Sequence, residues 1–499
     1  MISSVSSVPP LSPQVKEFLD RPHLLYIGGR FVPAHDGRTF TTYDPSTGQR
    51  IGEVAHAGPD DITAAVSAAR AALDGAWGAL PALVRGRLLA KLADLIEEHA
   101  GELAELEALD GGKPVSVNEV MDIPAAIEHF RYYSGWPTKI EGETIPVHMP
   151  DTLCYTRKEP VGVCGQIIPW NYPLMMAAWK LAPALAAGCT VVLKPAEQTP
   201  LSALRLAELI EEAGFPPGTV NILTGGGSTG AGIVEHPGTD KIAFTGSTAV
   251  GREIGSRAGA LLKRVTLELG GKSPNIVLAD ADVEAAVAGA FNGIYFNSGQ
   301  SCIAASRLYV HRSVFAEVVD RLADAAAKAV VGPALDRSTQ FGPLVSAGQF
   351  HRVRGYLEDG VGSGATLFAG EVPAPEPEGG FYVRPALFTD VTSDMRICRE
   401  EIFGPVLVAA PFDETEEALE YANDTPYGLA AGVWTRSLGH AHTFAAQLRA
   451  GMVYLNSWAS GDPAAPFGGV KASGIGREMG RTNLDAYLET KTVWTSLTT

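Results

Sequence analysis

Short apolar runs alternate with longer amphipathic segments along the middle of the chain. Four of these runs are bounded by turn residues and are typical of buried strands, at residues 161–168, 190–194, 220–223 and 241–245. The segments between them space apolar residues as a helix does, and they predict helices over residues 175–187, 202–213 and 230–236. This alternation predicts an open, mostly parallel sheet with helices on both faces, an architecture that binds nucleotides at the carboxyl ends of its strands.

A second series of strand-like runs follows the first. Its members are short, apolar and separated by longer segments, at residues 275–278, 307–310, 383–388, 406–412, 432–435 and 451–455. The economical interpretation is an α/β fold with two tandem, open, twisted parallel-sheet domains. The boundary is expected near Leu269, where the first series ends.

The composition changes this picture little. The chain has 499 residues, of which 46% are hydrophobic and 19% charged, close to the averages of globular proteins. At roughly 150 residues per domain, this length allows about three domains or subdomains. A mainly disordered protein is therefore excluded.

Charge and hydropathy exclude two classes of partner. The net charge of −17 repels a phosphate backbone, so no nucleic acid is expected. The most apolar stretch, residues 172–187, is interrupted by Pro173, Lys180 and Pro183, so it falls short of the ~18–20 apolar residues of a membrane span. The N-terminal MISSVSSVPPLSP lacks the features of a signal or transit peptide, so we expect a loose N-terminal arm and a cytoplasmic location.

The five cysteines include no C-x-x-C pair, so neither a disulfide framework nor a zinc site is expected. No other metal-ligand set is recognisable in the sequence. The odd number leaves room for one reactive thiol.

Two glycine-containing loops follow predicted strands. Gly225, Gly227 and Gly230 match G-x-G-x-x-G, but no acidic residue stands at a convincing strand end about 20 positions later, as the dinucleotide fingerprint requires. In the second loop, FTGSTAVG, Gly246 permits close approach to the backbone and Ser247 can cap a helix whose N–H groups face an anion. From the residues alone, each loop is as consistent with a plain turn and N-cap.

Several short motifs occur in a fixed order along the chain. They are Asn171 in PWNYP, Lys194 and Glu197 in LKPAEQTP, residues 246–251 in FTGSTAVG, Glu268 in LELGGKSPNIV, Cys302 in NSGQSC, Glu401 and Phe403 in EEIFGPV, and Asn456 near PFGG. In order and spacing the chain resembles the NAD(P)-dependent aldehyde dehydrogenase superfamily, of the hydrolytic, non-CoA-acylating type, over about residues 24–494. The resemblance implies a cysteine enzyme that oxidises aldehydes with NAD.

Cys302 is the expected nucleophile. An aldehyde becomes a good hydride donor once a thiolate has added to it, and the polar NSGQ segment before Cys302 keeps a thiol accessible. Cys164 and Cys189 lie in or beside apolar runs, where a cysteine is usually inert packing. Cys154, in an extended segment, and Cys398, in a charged one, have no comparable setting.

The resemblance implies two catalytic partners for Cys302. The side-chain amide of Asn171 and the backbone N–H of Cys302 would hold the oxyanion. Glu268 would activate water for hydrolysis of the thioester, and its place between two leucines predicts a raised pKa through desolvation. Glu478, in SGIGREMG, resembles the family's proton-relay position, and a helix-start salt bridge is an equally good interpretation.

Cofactor contacts also follow from the resemblance. Lys194 and Glu197 would bind the adenosine ribose, and Glu197 would repel a 2′-phosphate, which favours NAD over NADP. Gly246 and Ser247 would take the pyrophosphate, and the Gly225–Gly230 loop becomes a neighbouring turn. The remaining expected contacts, which include the nicotinamide ribose and ring, are Ile168, Trp170, Glu401 and Phe403.

The expected aldehyde pocket is aromatic and apolar. Its predicted residues are Tyr172, Met175, Trp179, Phe296, Trp458 and Phe467, with Ser301 and Ile303 beside the nucleophile and Met176 more probable as core. Such a lining favours a medium-chain or phenylacetaldehyde-like substrate. Tyr172, Trp179 and Trp458 could instead cage a quaternary ammonium through cation–π attraction, so betaine aldehyde or an aminoaldehyde is the alternative.

Two further alternatives and the assembly complete the expectations. A CoA-acylating enzyme is less favoured because Glu268 is present, and a non-catalytic structural relative because Asn171 and Cys302 are present as well. The expected NAD-binding domain spans residues 1–140 and 159–269, and the catalytic domain spans 270–480. Residues 141–158 and 481–499 would form a β oligomerisation element, which predicts a homodimer or homotetramer.

Overall fold

The computed structural model describes residues 10–377, 379–458 and 461–498. The expected N-terminal arm falls mostly on residues 1–9, outside the described residues. The strands, in chain order, are β1 Leu25–Ile27, β2 Arg30–Val32, β3 Thr39–Asp44, β4 Gln49–Ala55, β5 Thr144–Ile145, β6 Thr152–Pro160, β7 Val163–Ile167, β8 Thr190–Lys194, β9 Val220–Ile222, β10 Lys241–Thr245, β11 Arg264–Glu268, β12 Pro274–Val277, β13 Arg307–His311, β14 Thr366–Ala369, β15 Ala386–Thr389, β16 Val406–Phe412, β17 Ala430–Trp434, β18 Met452–Leu455, β19 Gly474–Ile475 and β20 Leu488–Ser496.

The helices connect and cover these strands. In chain order they are α1 Pro13–Leu19, α2 Pro59–Asp74, α3 Ala82–Glu98, α4 Ala100–Gly111, α5 Val115–Val117, α6 Ile123–Ser134, α7 Pro173–Ala187, α8 Leu201–Ala213, α9 Gly227–Glu235, α10 Thr248–Ala260, α11 Val283–Tyr295, α12 Arg312–Lys328, α13 Ala347–Gly362, α14 Arg396–Arg399, α15 Thr415–Asn423, α16 Leu438–Gln447 and α17 Gly480–Asp485. A π-helical turn, Asn118–Asp122, joins α5 to α6. Across the described residues, no helix is long and apolar enough to cross a membrane.

The first large sheet has the strand order β19-β11-β10-β7-β8-β9-β1-β2. Its five central strands, β11 to β9, are parallel, and the two flanks pair antiparallel. Every residue of β7, β8 and β9 is buried, because helices cover a parallel sheet on both faces. The prediction of an open parallel sheet is confirmed here.

The second large sheet has the order β14-β15-β16-β13-β12-β17-β18 and is parallel from β15 to β18. The strand expected at residues 383–388 begins later, at Ala386. Pro385 precedes it, and a proline cannot donate to a sheet ladder. The two sheets together confirm the expected α/β class with two parallel-sheet units.

A small antiparallel sheet, β20-β6-β5, stands apart from both. β6 and β20 pair along their whole lengths, from Pro160 opposite Leu488 to Thr152 opposite Ser496. These strands come from the two segments expected to drive oligomerisation. That role, and the domain boundaries given above, stay predictions.

The C-terminal part of the chain returns to the first sheet. β19 adds an antiparallel edge to β11, with Gly474 opposite Glu268. Lys180 of α7 forms an ion pair with Glu478, N to O 2.8 Å, and both side chains are almost fully buried. Residues about 300 positions after Lys180 in the sequence therefore complete the first sheet.

Candidate active site

The loop that carries Cys302 has an unusual backbone. Asn297, Ser298 and Gly299 all adopt positive φ, at 51°, 52° and 73°, and left-handed conformations cost energy at residues other than glycine. At Gly299 a Cβ would lie 2.0 Å from the carbonyl oxygen of Gly404, so only glycine fits where these two loops meet. The strained turn leads into a partly exposed Cys302 thiol.

The Cys302 thiol stands among acidic groups. Burial raises its pKa well above that of an ordinary thiol, and the nearby carboxylates of Glu268 and Glu401 raise it further. The raised pKa means that the thiol needs a proton acceptor before it can attack. Of the other cysteines, three are buried and one, in α14, is partly exposed: Cys154, Cys164, Cys189 and Cys398.

Asn171 faces the same loop from the first sheet. Its side-chain N–H donates to the carbonyl oxygen of Gln300 at 2.9 Å. In return, the side-chain N–H of Asn297 donates to the Asn171 carbonyl oxygen at 3.1 Å. One amide N–H of Asn171 is thus anchored, and the second has no acceptor among the described residues. The structure brings Asn171 and the Cys302 loop together as expected.

Glu268 is the last residue of β11 and only 4% exposed. Neither carboxyl oxygen has a well-formed hydrogen bond within the described part of the chain. Burial and the nearby Glu478 raise the pKa of Glu268 well above its ordinary value, while Lys180 and the Gly469 N–H act in the opposite direction. A buried carboxyl with so little compensation holds a proton readily and can exchange it.

Glu478 forms a salt bridge, but not at the start of its own helix. Its partner is Lys180, in the middle of α7, whereas α17 begins at Gly480. The proton-relay role stays a prediction. Lys180 is a functional candidate that the sequence reasoning missed, although a lysine inside a buried apolar helix needs a partner and could have been noticed.

The ribose candidates lie where β8 ends. The Nζ atom of Lys194 is 3.4 Å from a carboxylate oxygen of Glu197. Burial lowers the pKa of Lys194, whereas the Glu197 side chain is 45% exposed and so can meet a ligand. Ile168 is buried beside them, and its N–H donates to the Lys194 carbonyl oxygen at 3.1 Å.

The FTGSTAVG loop opens a helix at the end of β10. The N–H of Gly246 donates to the carbonyl oxygen of Glu268 at 3.0 Å. Ser247 is the exposed N-cap of α10, and its hydroxyl accepts from Val250 at 3.4 Å. This helix N-terminus is suited to an anion. The start of α9, after the other glycine loop, is instead held by Thr229, whose hydroxyl donates to the carbonyl oxygen of Ala57.

Glu401 and Phe403 come from the second sheet. The N–H of Gly271 donates to Glu401 at 3.1 Å, and burial raises the pKa of Glu401 to about 7. At Gly270 a Cβ would lie 2.1 Å from the Glu401 carboxylate, so the backbone there must be bare. The ring of Phe403 meets Trp170 edge-on, with centroids 5.1 Å apart.

These groups fit a dinucleotide. An exposed carboxylate beside a lysine suits ribose hydroxyls, an open helix N-terminus suits a pyrophosphate, and a second carboxylate and an aromatic ring lie toward the thiol. In the described ranges, no group of three or more His, Cys, Asp or Glu side chains could hold a metal ion.

The expected aldehyde residues fall into two groups. Tyr172, Met175 and Trp179 share one face of the start of α7, and the Trp179 ring contacts Phe467 with centroids 4.8 Å apart. The Trp179 ring also stacks on His129, with centroids 5.4 Å apart. Met176 is buried in the core, as expected.

The second group comes from the catalytic side. Phe296 is partly exposed and begins the turn that leads to Cys302. Trp458 packs over Gly432, where a Cβ would lie 2.4 Å from its ring. Tyr454, whose ring centroid is 5.5 Å from that of Trp458, was missed from the sequence. Burial and, to a smaller extent, the nearby Cys302 raise the pKa of Tyr454 to about 12.

The fold and the site define a two-sheet α/β enzyme with a thiol beside a dinucleotide-binding edge. A sequence model of the Aldehyde dehydrogenase family matches residues 31–493. The solved NAD+ complex of an aldehyde dehydrogenase from Bacillus cereus is 53% identical, with a TM-score of 0.96 over 98% of this chain and 99% of that chain. Retinal dehydrogenase 2 of Homo sapiens is 49% identical over 94% of this chain and 91% of that protein.

A further solved relative is betaine aldehyde dehydrogenase from Staphylococcus aureus, in complex with NAD+. It is 38% identical, with a TM-score of 0.94 over 98% of this chain and 97% of that chain. The chain belongs to the aldehyde dehydrogenase family, and it oxidises aldehydes. The predictions of family, enzyme class and NAD as cofactor are confirmed.

Proposed function

We propose that this enzyme oxidises apolar aliphatic or aromatic aldehydes to carboxylic acids, with NAD and water, through a thiohemiacetal and a thioester on Cys302. The observation that carries the proposal is the meeting of three groups. The amide of Asn171 is anchored to the loop that leads to Cys302, and the carboxyl of Glu268, which has no well-formed hydrogen bond among the described residues, lies near enough to Cys302 to raise the pKa of its thiol.

The first step needs a proton acceptor because the pKa of Cys302 is raised. The carboxylate form of Glu268 takes the thiol proton, and the sulfur then forms a bond to the aldehyde carbon. The carbonyl oxygen becomes an oxyanion, which accepts hydrogen bonds from the free amide N–H of Asn171 and the backbone N–H of Cys302.

NAD, when bound, accepts the hydride that leaves the thiohemiacetal carbon. The residues that would hold it are Lys194, Glu197, Gly246, Ser247, Glu401 and Phe403, with Ile168 and Trp170 beside them. A thioester then remains on Cys302. After Glu268 has released the thiol proton to solvent, its carboxylate takes a proton from water and the water oxygen bonds to the acyl carbon. The C–S bond then breaks to release the acid, and the departing thiolate takes the proton back from Glu268.

The pocket residues support an apolar substrate. The ring of Trp179 packs against both Phe467 and His129, so a hydrocarbon chain or aromatic ring would meet ring surfaces already packed together. Each buried CH₂ contributes roughly 0.8 kcal/mol. Phenylacetaldehyde and hexanal are therefore the expected substrate types.

The betaine-type alternative requires free aromatic faces. The Nζ atom of Lys113 lies 3.6 Å from the centroid of the Tyr172 ring, so one face of this ring already contacts a cation. Its attraction for a second cation is correspondingly weakened. This contact favours the apolar class over betaine aldehyde.

A substrate panel tests the proposal. We expect kcat/KM with NAD to be higher for phenylacetaldehyde and hexanal than for betaine aldehyde, higher with NAD than with NADP, and unchanged by CoA. Cys302→Ala is the matched negative control. A kcat/KM for betaine aldehyde equal to or above the others would contradict the substrate class, and an acyl-CoA product would contradict the hydrolytic step.

We also propose that the β20-β6-β5 sheet mediates a homodimer or homotetramer. β20 is an edge strand, and Trp494 and Leu497 are exposed by 57% and 63%, which leaves backbone and apolar side chains for a second copy. Trp494→Glu should lower the mass measured by sedimentation, with the exposed surface variant Leu438→Glu in α16 as control. An unchanged mass for Trp494→Glu would contradict this interface.

A further inference from the structure

A group of buried charged residues lies against the segment that follows Asn171. Glu107, near the end of α4, is 2% exposed, and Lys113 and Asp122 after it are 5% and 2% exposed. None of them has a part in the reaction as derived above. Burying such charges costs free energy unless they are paired and hydrogen-bonded, so the contacts of these side chains are informative.

Glu107 caps the helix that follows Asn171. A carboxylate oxygen of Glu107 accepts from the N–H of Leu174 at 2.6 Å and from the hydroxyl of Ser202 at 2.9 Å. The helix α7 has no cap of its own, because the Tyr172 side chain makes no capping bond and Pro173, at N1, has no N–H. The carboxylate also lies at the positive end of the helix dipole.

Lys113 holds the residue between Asn171 and this helix. It forms an ion pair with Asp122, and its Nζ atom contacts the Tyr172 ring. The segment from Asn171 to Leu174 is therefore held at two points, the Tyr172 ring and the Leu174 N–H.

The front of Asn171 is held only by hydrogen bonds. Glu107 and Lys113 line a small cavity together with Asn171, Asn297 and Gln300. Asn171 lies two residues before Pro173, the first residue of α7, so the position of Asn171 depends on where α7 begins.

We infer that Glu107 is a positioning residue, which fixes the start of α7 and through it holds the Asn171 amide where the oxyanion forms. This inference rests on the proposed function. It requires that removal of Glu107 lowers the reaction rate only because Asn171 is displaced, and not through any other residue of the site.

A double-mutant cycle tests this requirement. Glu107→Ala and Asn171→Ala are compared singly and together, by the rate of the first NADH turnover at saturating NAD and phenylacetaldehyde. We expect Asn171→Ala to lose about 10²- to 10³-fold and Glu107→Ala about 10- to 10²-fold, in line with a misplacement of about 1 Å. The double variant should lose no more than Asn171→Ala alone.

Three further measurements separate positioning from a general structural defect. Glu107→Gln, which keeps an oxygen acceptor, should recover most of the rate, and the Kd for NAD should stay within about twofold in all variants. Glu105→Gln on the same helix, whose carboxylate instead accepts from Ser12, is the matched control and should match the wild type. If Glu107→Ala does not fold, Glu107→Asp, which withdraws the carboxylate while keeping its charge, replaces it in the cycle.

The outcomes are distinguishable. Losses that multiply in the double variant would overturn the inference and leave the proposed function intact, as would an unchanged rate in Glu107→Ala or Glu107→Asp. If Asn171→Ala itself keeps the wild-type rate, the oxyanion role in the proposed function fails, and the inference fails with it.

Discussion

The two large sheets contribute residues to the site from opposite ends of their strands. In the first sheet, the candidate residues follow the carboxyl ends of strands: Asn171 comes after β7, Glu197 after β8, Ser247 after β10, and Glu268 ends β11. In the second sheet, they precede the amino ends: Cys302 comes before β13 and Glu401 before β16.

This difference separates two tasks. The carboxyl edge of a parallel sheet ends in helix N-termini and open loops, which suit a nucleotide. The amino edge of a parallel sheet has no such general association with nucleotide binding. In the second sheet this edge presents the Cys302 thiol through the strained turn at Asn297 and Ser298. Cofactor binding and covalent chemistry should therefore respond to different substitutions.

The largest expected effect comes from the second edge. Cys302→Ala removes the nucleophile, and we expect dehydrogenase activity to fall by at least about 10⁴-fold. The Kd for NAD, measured by calorimetry, should remain within about twofold because the first edge is intact. Activity above a few percent of wild type would show that another group carries the chemistry.

Glu268→Gln should have the next largest effect. The amide cannot accept a proton from water, so steady-state turnover should fall by about 10²- to 10³-fold. Stopped-flow measurement of NADH should then show whether a burst precedes the slow phase, which is expected where acylation stays the faster step. Steady-state turnover equal to wild type would exclude Glu268 as the base.

The pH dependence follows from the same residue. Because the pKa of Glu268 is raised, its carboxylate form is lost as the pH falls through that raised value. The steady-state rate of the wild type should therefore increase with pH along its acid limb. In Glu268→Gln this limb should flatten, and an identical profile in both proteins would contradict the assignment.

Gly271→Ala tests the contact between the two sheet edges, where Gly271 meets the loop of Cys302. A Cβ at Gly271 would lie 2.7 Å from the carbonyl oxygen of Cys302, so the nucleophile loop must shift. We expect kcat to fall by about 10- to 10²-fold with little change in the Kd for NAD. Gly355→Ala, where a Cβ would meet nothing within 4 Å, is the control and should keep full activity. Equal kcat values for both variants would show that the two edges tolerate relative movement.

The smallest effect belongs to the first edge. Glu197→Ser should raise the ratio of kcat/KM with NADP to that with NAD by about five- to tenfold, because the 2′-phosphate no longer meets a carboxylate. The Glu197 side chain is 45% exposed, so the effect should shrink as salt is added. A wild type that already prefers NADP would refute this view of the ribose site.

The sequence predicts the first edge better than the second. Strands such as β8 and β10 are continuous apolar runs between turn residues, so both the strands and the loops after them could be placed. β11 was not predicted as a strand, because Arg264–Glu268 mixes polar and apolar residues. The short strands β1 to β5 carry no distinct pattern.

The missed site residues depend on distant contacts. Lys180 and Glu478 are separated by 298 positions, and nothing local to either shows that they meet. In the sequence, Tyr454 is indistinguishable from an ordinary strand residue. Only the pairing of β18 with β17 shows that it lies near the site. Cys302 could be found because its own neighbours are polar, whereas the raised pKa of its thiol comes from burial in the fold and from carboxylates of both edges.

The return of the chain end to the first sheet has a consequence for biosynthesis. On the ribosome, β7 to β11 and α7 are made long before Glu478 and β19, so Lys180 has no ion-pair partner and the β11 edge has no pairing strand during that time. The nucleotide-binding half should therefore gain its full resistance to protease only after the last residues leave the exit tunnel. A chain stopped before Gly474 should remain a client of chaperones.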